Sequence, residues 1–102
     1  MSAFDDPLLR VIGISRFREE DYAAIRAVSE DGHKMPSKWK DWLKGAEEFE
    51  QKAIQSGKIV ERINIDPNTF PDWCKKNGVG VNRQGRQKFA AMAVGPKYRN
   101  QS

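Results

Sequence analysis

The nineteen residues Val60–Gly78 hold a strand, a turn, a short helix and a helix stop in one run, and they commit the chain to a mixed fold. Ile59, Glu61, Ile63 and Ile65 alternate with Val60, Arg62 and Asn64. Period-two alternation with β-branched residues predicts a half-buried strand over 59–65, with Ile63 and Ile65 inward and Arg62 and Asn64 outward. Asp66-Pro67 ends it, because proline has no amide hydrogen to give a ladder. Two helix starts compete next: Asp66 could cap with Pro67 at the first position, and Thr69-Phe70-Pro71-Asp72 has the spacing of a capping box; the second is favoured and predicts a helix from Phe70 to Asn77. Lys75 and Lys76 suit its negative C-terminal end, and Gly78 suits the left-handed position just past it. Phe70, Trp73 and Cys74 are its expected core contacts.

Elements of the same kinds fall on either side. Leu8–Ser15 reads as a strand, with Gly13 marking a bulge or a close approach of another backbone. Glu19, Glu20 and Asp21 open a helix whose apolar stripe is Tyr22, Ile25 and Val28, with a stop near Gly32. A longer helix is expected from Ser37 to Ser56. Trp39, Trp42, Leu43, Ala46, Phe49, Ala53 and Ile54 recur at spacings that make one buried face, and Gly57 ends it. After Gly78, Asn82 caps a last helix from Arg83 to Val94, lined by Phe89, Met92 and Ala93 and stopped by Gly95-Pro96.

The expected fold is therefore α+β, a small single domain over residues 1–102 in the order β-α-α-β-α-α. Two short strands are covered by a long amphipathic helix, and the C-terminal half is helical. Residues 1–8 are expected to form a flexible arm and 97–102 a flexible tail. Two strands alone make a poor sheet. They should pair with each other under the long helix, or be extended across a dimer.

The chemistry-bearing residues are sparse. Cys74 and His33 are the sole members of their types, so no internal disulfide forms. Cys74 beside Trp73 on an apolar helix face reads as a buried, inert thiol. One cysteine and one histidine fall short of a zinc ligand set. Glu47, Glu48 and Glu50 read as a solvated face of the long helix. Gly78-Val79-Gly80-Val81-Asn82 lacks both the dinucleotide glycine spacing and the Lys-Ser/Thr pair of a phosphate loop, and reads as a turn between helices. No cofactor and no catalysis are expected. No apolar run nears the roughly 20 residues of a membrane span, and residues 1–6 are acidic with no secretory core, so a soluble cytoplasmic protein is expected.

Charge is unevenly spread. Residues 1–57 hold nine basic and eleven acidic side chains; residues 58–102 hold nine basic and three acidic, none of them after Asp72. A basic C-terminal half points to an acidic partner. Strand 59–65, a short helix, a turn and a basic helix are similar in outline to a ribbon-helix-helix DNA-binding module. That likeness of element order covers less than half of the chain. It implies Arg62 and Asn64 as outward base readers, with Lys75, Lys76, Arg83 and Arg86 on phosphates. Arg99 joins them as a further candidate anion contact in the acid-free half. The leading expectation is a small non-enzymatic interaction protein, homodimeric or bound to another protein. The alternative is a nucleic-acid-binding regulator using those basic residues.

Overall fold

The computed structural model describes the backbone of residues 10–99 and the side chains of residues 10–94. The order is β1 (Val11–Arg16), α1 (Glu19–Val28), a 3-10 turn (Gly32–Lys34), α2 (Trp39–Gln55), β2 (Ile59–Asn64), α3 (Phe70–Lys76) and α4 (Arg83–Arg99). This is the α+β order expected. The expected arm at 1–8, the start of the first strand at Leu8 and the tail residues 100–102 lie outside the described residues. Residues 97–99 belong to α4.

The two helices between the strands carry the chain back along the sheet, so β1 and β2 pair in parallel. Val11 lies beside Ile59 and Arg16 beside Asn64. In such a register, paired residues share a face. Val11, Gly13 and Ser15 therefore stand with Ile59, Glu61 and Ile63, while Ile12, Ile14 and Arg16 stand with Val60, Arg62 and Asn64. A helix flanks each face, as a parallel sheet requires. On the first, α4 crosses β1 so closely that a Cβ on Gly13 would overlap the Ala90 carbonyl oxygen and reach 2.6 Å from Val94 Cγ2. Gly13 is thus a point of close approach, one of its two expected roles. On the second face α2 meets the strands through Glu50 and Trp42. The long helix α2 therefore covers one face of the sheet, and the last helix covers the other.

The main core sits at the carboxyl ends of the strands. Phe17 and Ile65, which follow β1 and β2, are buried with Tyr22 and Ile25 of α1 and Phe70 and Cys74 of α3. Phe17 packs on Trp42 with ring centroids 4.6 Å apart, and Trp73 meets Phe89 edge-on at 5.0 Å. Trp39 donates its indole N–H to the Phe17 carbonyl at 2.7 Å, and the Tyr22 hydroxyl donates to the Pro36 carbonyl.

Several boundaries differ from expectation for local reasons. Ser37 does not cap α2; Lys38 precedes the helix and no side chain caps it. The Thr69 hydroxyl makes no cap bond. Asp66 organises that turn instead, accepting the Asn68 amide at 2.8 Å with its carboxylate and the Phe70 amide at 3.0 Å with its carbonyl. Asn82 does cap α4, accepting the Gly85 amide at 3.1 Å. Gly95-Pro96 does not stop α4, which runs on to Arg99. Proline's φ suits a helix, and its cost falls on one turn, at the Met92 carbonyl, which loses its usual donor and faces the ring. Gly57 and Gly78 do end their helices, at φ 94° and 67°.

The inward stripes also shift. On α2 it runs Trp39, Trp42, Ala46, Glu50 and Ala53, while Phe49 and Ile54 are exposed. On α1 it continues to Ser29, and Val28 is exposed. On α4 the buried positions among the described side chains are Gly85, Arg86, Ala90 and Val94, with Phe89 half-buried and Met92 and Ala93 exposed.

Candidate functional site

Of the residues singled out as anion contacts, Arg62 and Arg86 are bound to carboxylates of the same chain. The Arg62 side chain is 58% exposed. It stands on the face that α2 covers, and its guanidinium grips Glu50 in two bonds, Nε to Oε1 at 2.8 Å and Nη2 to Oε2 at 2.6 Å. Glu50, read from the sequence as solvated, is buried, while Glu47 and Glu48 remain exposed. The hydrogen bonds from Arg62, with the nearby positive charges, hold its carboxyl below the usual carboxylate range in spite of burial. Arg16 approaches the same carboxylate, with Nη1 3.8 Å from Oε1, and lies 5.7 Å from the Trp42 ring centroid. The missed residue here is Glu50, and the signal for it was its spacing four from Ala46 and three from Ala53.

Arg86 is also withdrawn from solvent, being only 7% exposed. It binds Asp31 through two bonds, at 3.1 and 2.8 Å, and the Ser29 hydroxyl at 3.3 Å. Those bonds, chiefly the hydrogen bonding, pull the Asp31 carboxyl below its ordinary range. The backbone amide of Arg83 donates to the same Asp31, and Asn82 donates to Glu30 at 3.0 Å. The start of α4 is therefore clamped to the turn after α1. A phosphate contact by Arg86 would compete with that clamp.

Asn64, Lys75, Lys76 and the Arg83 side chain are exposed. Lys88 donates to the Asn77 carbonyl at 3.4 Å, which brings it to the lysine-bearing end of α3. Arg99 closes α4, and its side chain lies outside the described ones. Asn64 also lines a depression of about 150 Å³ with Arg18, Asp21, Ile65 and Asp66, at the carboxyl ends of the strands. That is below the roughly 300 Å³ at which small-molecule pockets begin.

Cys74 is buried, and desolvation pushes its thiol above the ordinary value. His33 is exposed in the 3-10 turn. Among the described residues no three His, Cys, Asp or Glu side chains gather to hold a metal, and no helix is long and apolar enough to cross a membrane.

What the fold leaves open is its sheet. Among the described residues it has two strands, so each keeps one outer edge unpaired. Phe49, Ile54, Ile59 and Met92 are 40–58% exposed. No protein family, curated protein or solved structure matches the chain.

Proposed function

We propose that the protein acts by binding, as a cytoplasmic homodimer, without catalysing a reaction. The observation that supports this is the two-stranded sheet with both outer edges open among the described residues. Such a sheet is marginal alone, and a partner strand completes it. Large apolar side chains left at the surface add area that association would bury. Sedimentation velocity over a hundredfold range of concentration tests the reading. A dimer is expected; a monomer throughout overturns it.

A second reading, binding to nucleic acid, draws on exposed Lys75 and Lys76 near the end of α3 and on Lys88, which bonds the Asn77 carbonyl there. Its ribbon-helix-helix form loses support, because Arg62 and Arg86 are engaged by carboxylates of the same chain. Binding that weakens steeply with salt would support a phosphate-tracking role for the lysines. No binding to DNA or RNA at low salt would remove it.

A further inference from the structure

We infer that the homodimer forms through the outer edge of β1, which pairs antiparallel with β1 of a second copy to give a four-stranded sheet in the order β2-β1-β1′-β2′. The inference rests on the homodimer reading and names the surface that serves it.

The ladder fixes which groups are free. The Ile59 amide donates to the Arg10 carbonyl, and the Ile65 amide to the Arg16 carbonyl. In a parallel pair the residues that turn toward the partner alternate. Arg10, Ile12, Ile14 and Arg16 therefore face β2, and Val11, Gly13 and Ser15 turn their backbone groups outward. On β2 the outward set is Val60, Arg62 and Asn64. None of these six has a backbone partner outside the ladder among the described residues.

The two edges differ in their side chains. Folded proteins guard a bare edge with charge, proline or a bulge. β2 carries Glu61 and Arg62 at its centre, and a two-fold axis through either would set that charge against its own copy. Val11–Ser15 carries no charge. An axis through Gly13 sets Ile12 opposite Ile14 and Val11 opposite Ser15, which are compatible pairs, and sets Arg10 opposite Arg16 at the two ends, where Glu50 of the same chain stands 3.8 Å from Arg16. Among the described residues, the edge is thus self-complementary over its central five residues, with charge only at Arg10 and Arg16.

A second observation lies on α4, which covers β1. Ala93 is seven residues from Arg86 and three from Ala90, so it is on the buried side of the helix, yet it is exposed. Met92 beside it is 49% exposed. The flank of α4 next to its buried line therefore keeps an exposed alanine, with Met92 exposed on the outward side.

The test combines sedimentation with amide exchange on the full chain and on Ser15→Pro. The Ser15 amide faces away from β2, so proline there spares the internal ladder. The expected result is a dimer in which the Val11, Gly13 and Ser15 amides exchange slowly and become fast on dilution. Ser15→Pro should raise the dissociation constant about tenfold or more, since two edge hydrogen bonds are lost per dimer. A dimer whose three amides exchange fast, or one unchanged by Ser15→Pro, overturns this surface and leaves the homodimer standing. Slow exchange that persists in the monomer means that the chain covers its own edge, which also overturns it. A monomer at every concentration removes both readings.

Discussion

Arg86 enters α4 as one more cation in a half of the chain without acids after Asp72, and folding gives it a carboxylate from the other half. Removing one member of a mostly buried pair strands the other, which costs more than the pair contributes. Arg86→Ala should lower stability by about 2–4 kcal/mol, less than for full burial because Asp31 keeps some solvent. Arg83→Ala, on an exposed side chain, should change it by under about 0.5 kcal/mol. Urea unfolding of the two variants checks the contrast. The same ion pairs set an acid limit. Asp31 and Glu50 both have folded values held below their unfolded ones. Their contribution is complete above the ordinary carboxylate range, near pH 4, and is lost as pH falls through the lower folded values, because the unfolded chain takes protons first. Urea midpoints measured from pH 7 down to pH 3 should therefore fall, and fall less steeply in Asp31→Asn and Glu50→Gln. The partners of these groups were not legible in the sequence. Periodicity identified α2's inward stripe, but hydropathy moved it onto Phe49, because nothing local says that Glu50 meets Arg62.

Alternation, helix spacing and glycine stops act within a few residues, so the elements themselves were legible. Strand 59–64 lies within the expected 59–65, and Gly57 and Gly78 take the left-handed conformations their positions required. The length of α4 was not, since Gly95-Pro96 has the local form of a stop. Which helix lies on which face was not legible either, with one exception: Gly13 marked a close approach. A methyl there meets backbone at Ala90, which cannot step aside as a flexible side chain would. Gly13→Ala should cost about 1–3 kcal/mol by forcing α4 off β1. Gly45 is the matched control, in mid-α2 with nothing within 4 Å of an added methyl. Gly45→Ala should stabilise by about 0.5–1 kcal/mol, the helix preference of alanine over glycine. Thermal melts of both variants, read by circular dichroism, should move in opposite directions.

At the scale of the molecule, the charge asymmetry of the sequence is partly cancelled in space. Glu50 takes Arg62 and Asp31 takes Arg86, so two of the basic residues that suggested an acidic partner are already matched across the halves. Among the described residues, the outer sheet edges are also left unpaired. If folding includes a strand supplied by a second copy, folding and association are one equilibrium, and stability depends on concentration. A tenfold rise in protein then adds about 1.4 kcal/mol per dimer. Spread over the unfolding entropy of two such chains, that raises the melting midpoint by about 3–5 °C. The unsubstituted protein should show this slope, and Ser15→Pro should lose it at the lower concentrations, where it has dissociated. A midpoint constant over a hundredfold range would mean that two strands and their flanking helices stand by themselves, and that the edge of β1 is left to water.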